Sequence, residues 1–432
     1  MNRRTFIGTS LLGAAALTQS CVSSSASSRR KKVTLSAAFD PEVEAFMAAR
    51  KVPGGALAVV RDRRLVYARG YGWADRDAEI PVKPDSLFRI ASISKPITAV
   101  AVMKLIEHGR LSLDDRALPL LGLKPIARDN GHVERRLSKI TVRQLLQHTG
   151  GWDRDKSFDP MFRPVEIAKA LGAPAPADAA AVIRYMLGQS LDFDPGTRYA
   201  YSNFGYCLLG RIIEKITGLP YDSFVKEEIL APVGITQMRI GATLDGRQAD
   251  GEVRYYMSTN GTTSSVFPSR VGQVAWPYGG FHLEAMDAHG GWIASAVDLA
   301  RFATALDDPN RSPLLRRQSL EIMSAPPPPP VSRRSDGSLE HRYYACGWMV
   351  RPFGLRGRAS YWHSGSLPGT ATLLVRRWDG LSWAVLFNQR SAKDELPDSA
   401  IDPALHRAAD SVGEWPKHDL FTQFQQTVEP TA

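Results

Sequence analysis

Residues 88–96 read FRIASISKP, and apolar side chains at helical spacing follow as far as His108, just before Gly109. The pattern predicts a helix that begins at about Ser92 and carries Lys95 one turn on, on the same face. A serine hydroxyl is a weak nucleophile that needs a nearby base, and a lysine in a dry site loses its proton more easily. We therefore predict that Ser92 and Lys95 act as nucleophile and base. In isolation, the pair also fits a helix-capping serine beside a surface lysine.

Strand patterns lie at both ends of the chain. Apolar runs at 56–60 and 65–72 enclose a polar turn and predict a β-hairpin, and strands return at 344–351, 359–362, 371–376 and 383–387. Helical patterns at 41–49 and 403–412 lie outside these strands, and residues 112–290 are mainly helices and loops. This order predicts an α+β fold, with an antiparallel sheet flanked by N- and C-terminal helices and a mostly helical inserted subdomain.

The same patterns divide the chain into segments. We assign residues 34–115 and 285–425 to the sheet subdomain and residues 116–284 to the helical insert. Residues 1–33 are predicted to be an export signal with a polar linker, and residues 426–432 a tail.

Two further motifs follow Ser92 along the chain. Tyr201-Ser202-Asn203 comes after a turn and before a helix, where a phenol can relay a proton and an amide can hold a substrate. His363-Ser364-Gly365 follows a strand, so the backbone N–H of Ser366 can lie opposite that of Ser92 as an oxyanion hole. His148 and His289 also begin HxG sequences, but neither follows a strand. Taken alone, Tyr201 also fits a packing aromatic residue, and His363 a structural histidine.

In this order, the three motifs resemble the SxxK serine hydrolases related to class C β-lactamases, which include D-alanyl-D-alanine carboxypeptidases, D-aminopeptidases and esterases. The resemblance implies that Ser92, Lys95 and Tyr201 are catalytic and that Asn203, His363, Ser364, Gly365 and Ser366 bind substrate. It implies an acyl-enzyme reaction on an amide or ester: a D-amino-acid peptide, a β-lactam or an ester. Histidine at position 363 replaces the lysine usual in β-lactamases, which weakens a dedicated β-lactamase reading. The alternative is a non-catalytic, penicillin-binding-like protein of the cell envelope.

Charge and composition limit the classes of molecule that the protein is expected to bind. The chain has 432 residues and a formal charge of +10, but residues 1–32 carry six basic residues and no acidic one. The small remaining charge argues against nucleic-acid binding and leaves a small-molecule or peptide substrate. Arg3 and Arg4 precede an apolar run, which predicts a twin-arginine-type signal and export to the periplasm or cell envelope, with Cys21 a candidate lipid anchor. No metal or cofactor is predicted, and the oligomeric state is left open.

Overall fold

The computed structural model describes residues 33–128, 131–259, 261–354, 358–392 and 396–424. The predicted leader, Cys21 and the tail at 426–432 lie outside these residues. The strands are β1 Gly54–Arg61, β2 Arg64–Asp75, β3 Ile80–Pro81, β4 Phe88–Arg89, β5 Arg239–Ile240, β6 Tyr256–Met257, β7 Thr262–Ser264, β8 Gln273–Ala275, β9 Trp292–Ala294, β10 Tyr343–Tyr344, β11 Met349–Phe353, β12 Arg358–Leu367, β13 Thr370–Arg376, β14 Leu381–Phe387 and β15 Gln389–Arg390.

The α-helices are numbered in the same way along the chain. They are α1 Leu35–Arg50, α2 Ser94–Glu107, α3 Ala117–Leu121, α4 Val142–Leu146, α5 Pro164–Leu171, α6 Ala179–Met186, α7 Asn203–Thr217, α8 Tyr221–Val225, α9 Asp287–Gly290, α10 Ala296–Thr304, α11 Arg317–Ser324 and α12 Ile401–Ser411. None of the helices in the described ranges is long and apolar enough to cross a membrane.

One eight-stranded sheet joins the two ends of the chain, in the order β10-β11-β12-β13-β14-β1-β2-β3. The two chain ends meet inside the sheet at the antiparallel pair of β1 and β14, in which Gly55 faces Phe387 and Arg61 faces Leu381. Every neighbouring pair in the sheet is antiparallel. The predicted α+β fold with an antiparallel sheet is therefore confirmed.

Both faces of the sheet are covered, because alternate side chains along β1 enter two different cores. Leu57 and Val59 pack with the core that includes residues of α1 and α12. Ala56, Ala58 and Val60 pack on the opposite face with the larger core that includes residues of α2, α7 and α10. The predicted terminal helices thus flank the sheet and pack together on one of its faces, and the helix that follows Ser92 lies on the other.

The segment between the two halves of the sheet is mostly helical, with α3 to α8 in succession, but it also carries short strands. β7 and β8 form a hairpin, and β9 pairs with both β4 and β5. The boundaries that we assign to the two subdomains stay a prediction.

Candidate active site

Ser92 lies in a single 3-10 turn, Ala91–Ile93, between β4 and α2. The helix itself begins at Ser94, so the predicted start at Ser92 is wrong by two residues. The reason is local: Ala91 has a left-handed backbone with φ of 48°, which tightens the chain before the helix can begin. Ser92 is half-buried and still precedes the helix N-terminus.

A buried arginine fixes the chain that leads into this turn. Arg89 is fully buried and donates to the backbone oxygens of Pro277 (2.7 Å) and Ala242 (2.8 Å). Its Nε lies 3.9 Å from a carboxylate oxygen of Glu252, whose side chain is also buried. These contacts tie β4 to the loops of the insert, so the position of Ser92 depends on residues far away in sequence.

Lys95 is fully buried and holds three partners at its Nζ. The Nζ lies 3.2 Å from Ser92 Oγ, 2.7 Å from Asn203 Oδ1 and 2.8 Å from the backbone oxygen of His289. Burial drives the pKa of Lys95 well below its usual value, Asp159 opposes this shift and Arg154 adds to it. The two carbonyl oxygens can only accept, so a neutral amine donates its two N–H groups to them and turns its lone pair to the Ser92 hydroxyl.

Tyr201 stands on the loop that leads into α7, one residue before the capping Ser202, whose Oγ accepts from Gly205 N. Lys95 Nζ lies 4.8 Å from the centroid of the Tyr201 ring. Among the described residues, the buried Tyr201 hydroxyl makes no hydrogen bond of standard geometry, although the Ser92 hydroxyl is near enough to affect its pKa. Burial raises the pKa of Tyr201 although Ser92 and Arg154 lower it, so the group is a neutral phenol at neutral pH.

Asp159 is a site residue that the sequence did not reveal. Its Oδ2 accepts a 2.6 Å hydrogen bond from Asn203 Nδ2, which leaves Asn203 Oδ1 facing Lys95. Burial raises the pKa of Asp159, while the contact with Asn203 works against that shift. The local signal is Asp159 before Pro160, typical of a helix start, and Asp159 does accept from Met161 N. Nothing local, however, indicates its contact with Asn203.

His148 and His289, which are set aside as binding motifs in the sequence, both lie at this site. His148 accepts a 3.2 Å hydrogen bond from Ser202 N at its Nδ1, and its backbone oxygen accepts from Ala200 N. These two hydrogen bonds fix the backbone on either side of Tyr201. The His148 ring also lies 4.3 Å from the Tyr201 ring. His289 contributes its backbone oxygen to Lys95.

His363 is buried in β12 with both ring nitrogens engaged. Its Nδ1 lies 2.8 Å from the backbone oxygen of Ser364, which can only accept, so the proton is on Nδ1. Its Nε2 therefore accepts from the Tyr344 hydroxyl at 3.0 Å. Burial, reinforced by Lys95, lowers the pKa of His363 to about 3, so the ring is uncharged at neutral pH.

Gly365 lets β12 approach the turn that holds Ser92. A Cβ at this position would lie 2.2 Å from the backbone oxygen of Ile90 and 2.2 Å from Thr372 Oγ1. Leu367 and Thr370 flank a two-residue turn and form a hydrogen-bonded pair. Hydrogen-bonded and non-hydrogen-bonded pairs alternate along an antiparallel ladder, so the next pair, Ser366 with Ala371, is not hydrogen-bonded. The backbone N–H of Ser366 therefore points away from β13, towards the side where Ser92 lies.

Two adjoining pockets meet at Ser92 and Ser366. The first, of about 300 Å³, also contains Tyr201, His363 and Ser364, with walls formed by Arg154, Tyr199, Tyr344 and Met349. The second, of about 350 Å³, contains Asn203, Asp159, His289 and Arg390. The cleft is thus lined by predicted residues from three distant segments: Ser92, Tyr201, Asn203, His363, Ser364 and Ser366. Lys95 reaches Ser92 from its buried side, and Gly365 lines neither pocket. Within the described ranges, no group of three or more side chains is arranged to hold a metal ion.

Comparisons with known proteins bear on the family of the chain. A family model described as Beta-lactamase matches residues 39–405. A penicillin-binding protein of Bacillus subtilis (strain 168) is 25% identical over 358 residues, which are 82% of this chain and 71% of that protein. A putative D-alanyl-D-alanine carboxypeptidase of Escherichia coli (strain K12) is 28% identical over 57% of this chain and 58% of its own length.

Solved structures show the same architecture. An octameric penicillin-binding protein homologue from Pyrococcus abyssi superposes with a TM-score of 0.65 at 25% identity, covering 89% of this chain and 79% of that one. A D-amino acid amidase from Ochrobactrum anthropi SV3, complexed with L-phenylalanine amide, has a TM-score of 0.65 at 22% identity, covering 88% and 98%. The second likeness bears on the fold alone.

Proposed function

The chain belongs to the Beta-lactamase family of serine hydrolases, and we propose that it forms an acyl-enzyme at Ser92 with an amide or ester substrate. The observation that carries the proposal is the environment of Lys95. A fully buried amine whose other two contacts are carbonyl oxygens keeps its lone pair for the Ser92 hydroxyl, 3.2 Å away.

In the acylation step, Lys95 takes the proton from Ser92 Oγ as this oxygen attacks the substrate carbonyl carbon. The negative charge that develops on the carbonyl oxygen faces the backbone N–H groups of Ser92 and Ser366. The Tyr201 hydroxyl, which makes no hydrogen bond of standard geometry among the described residues, donates a proton to the leaving nitrogen or oxygen, and Lys95 replaces that proton. The bond from the carbonyl carbon to the leaving atom breaks, and an ester to Ser92 remains.

In the second step, water attacks this ester, its hydroxyl joins the acyl carbon, and its remaining proton returns to Ser92 Oγ. Asn203 has a positioning role throughout. Its Oδ1 holds Lys95, and its Nδ2 is held by Asp159.

The substrate class is narrowed by His363. An uncharged ring with both nitrogens engaged offers no cation to a substrate carboxylate. This supports a small amide or ester, including a D-amino-acid derivative, over a dedicated β-lactam substrate.

The proposed cellular location is based on the sequence of residues 1–32. We propose that the basic pair Arg3 and Arg4 directs export to the periplasm or cell envelope, with Cys21 as a candidate lipid anchor. Replacing both arginines by lysine is expected to leave the protein in the cytoplasm, and fractionation of cells tests this.

The decisive experiment labels the protein with a fluorophosphonate and with a fluorescent penicillin. We expect an adduct at Ser92, located by mass spectrometry, and its loss in Ser92→Ala. Ser264→Ala, in the exposed strand β7, is the matched control and retains the label. A panel of D-Ala-D-Ala peptide, nitrocefin and short p-nitrophenyl esters then identifies the substrate. Folded protein with no adduct and no turnover, whose ligand binding survives Ser92→Ala, would instead be the non-catalytic binding protein.

A further inference from the structure

A separate cavity of about 270 Å³ lies on the α12 side of the sheet, behind the strand that carries His363. Its floor is apolar, formed by side chains of the sheet and of the first turn of α12: Trp362, Leu373, Val385, Phe387 and Ile401. Four charged residues also line it: Arg342, Arg351, Asp398 and Asp402. The rest of its lining is small or polar: Ser364, Gly365, Ser366, Ala371, Thr372 and Ser399. Apolar walls with a few charged groups are typical of small-molecule sites.

This cavity adjoins the reaction centre through β12. Side chains alternate along a strand, so the His363 ring faces the turn of Ser92, whereas the side chains of Ser364 and Ser366 lie on the opposite face. Ser364 and Gly365 both line the cavity, and Ser364 also lines one pocket that contains Ser92. Ser366 lines the cavity and also lines the two pockets that contain Ser92. The neighbouring strand β11 pairs with β12 only as far as Trp362, so it does not cover the stretch of β12 between the cleft and the cavity.

The size of the cavity limits what it can hold. An apolar protein cavity of about 150 Å³ is sufficient for benzene, so 270 Å³ takes a substituted aromatic ring or a chain of about six to eight carbons. The Arg351 guanidinium lies 5.0 Å from the Trp362 ring, which keeps a charged group beside the apolar floor.

We propose that this cavity is a substrate subsite that receives an apolar group, aromatic or aliphatic, extending over β12 from the bond that is attacked by Ser92. The proposal rests on the proposed serine hydrolase function and deepens it. The substrates are then esters or amides with a bulky apolar substituent close to the reacting carbonyl, and no charge on that substituent is required.

The test compares chain lengths in a variant with a filled cavity. Ala371 lines the cavity and is 4% exposed, so Ala371→Leu occupies part of its volume. We expect the wild-type protein to have a higher kcat/KM for p-nitrophenyl octanoate than for p-nitrophenyl acetate. In Ala371→Leu, we expect kcat/KM for the octanoate to fall at least tenfold, while kcat/KM for the acetate stays within twofold of the wild-type value. Ala78→Leu, an exposed alanine in the turn after β2, is the matched control. The same comparison with phenyl acetate and 4-butylphenyl acetate, which differ only in the leaving group, tests whether the cavity receives that side of the substrate.

The outcomes separate the two proposals. If wild type hydrolyses no ester or amide, the proposed function and the subsite both fail. If the acetate is hydrolysed but neither series changes in Ala371→Leu, the function stands and the subsite is refuted. The subsite is also refuted if the preference for long chains is lost in Tyr199→Ala but kept in Ala371→Leu. That result would place the apolar group in the pocket lined by Tyr199, Tyr201 and Tyr344. Should Ala371→Leu not fold, Leu373→Val enlarges the cavity, and we expect its ratio of decanoate to octanoate turnover to rise at least twofold.

Discussion

Gly365→Ala tests whether the contact between β12 and the turn of Ser92 sets the reaction geometry. The new Cβ would lie 2.2 Å from the backbone oxygen of Ile90, where contacts under 3.0 Å essentially never occur, so the two segments must separate by about 0.8 Å. Ile90 O is a backbone atom between β4 and the turn of Ser92, and position 365 lies inside β12, so neither segment moves without disturbing its neighbours. A misplacement of about 1 Å costs roughly 100-fold in rate when it separates groups that act together. We therefore expect kcat for a p-nitrophenyl ester to fall about 100-fold, while overpacking costs about 1–3 kcal/mol of unfolding free energy.

The assay measures kcat, KM and the rate of fluorophosphonate labelling, with urea unfolding on the same samples. Gly188→Ala is the control, because a Cβ there meets only Tyr185 O at 3.6 Å. The loss of kcat in Gly365→Ala must exceed the unfolded fraction of the sample. A folded Gly365→Ala protein with wild-type kcat would refute the argument that this strand positions Ser366 against Ser92.

Three further predictions follow from buried charges. Asp159→Asn removes the carboxylate that raises the pKa of Lys95, so the acid limb of kcat/KM should move to lower pH; a move to higher pH contradicts this. Folding lowers the pKa of His363 to about 3. Below pH 6.5 the unfolded chain therefore binds a proton that the folded protein does not bind, and the free energy of unfolding decreases as the pH is lowered. Between pH 7 and pH 4, His363→Gln should lose about 3 kcal/mol less unfolding free energy than wild type in urea titrations, and equal losses would disprove it. Arg89→Ala leaves Glu252 buried without its partner and should cost about 3–5 kcal/mol by the same titration, whereas a cost under 1 kcal/mol would show that the pair is unimportant.

The sequence predicts those parts of the fold and the site that depend on local patterns. The spacing of Ser92 and Lys95 survives the displaced helix start, because three residues of 3-10 turn followed by helix still bring Lys95 Nζ to Ser92 Oγ. The antiparallel sheet from both chain ends follows from alternating side chains and turns, which are also local signals. His363 is placed on a strand beside the turn of Ser92, as its flanking residues indicate.

Other features depend on contacts between distant residues, and no local pattern specifies them. Asp159 meets Asn203 across 44 positions, and its own neighbours indicate only a helix cap. His148 looks like a rejected copy of the His363 motif, and its hydrogen bond to Ser202 arises only when α4 and α7 pack together. The charge state of His363 also escapes sequence reasoning, because it is set by burial and by the nearby Lys95, 268 positions away in the chain.

The pairing of β1 with β14 has a consequence for how the protein is made. While a ribosome is still adding residues before 381, β1 has β2 on one side and an open, apolar edge on the other. An unpaired edge of this kind invites aggregation, so a nascent chain needs shielding until its last strands emerge. A stop codon anywhere before residue 381 removes the central partner of β1, so even a long truncated product that contains both Ser92 and His363 has no complete sheet to hold them together.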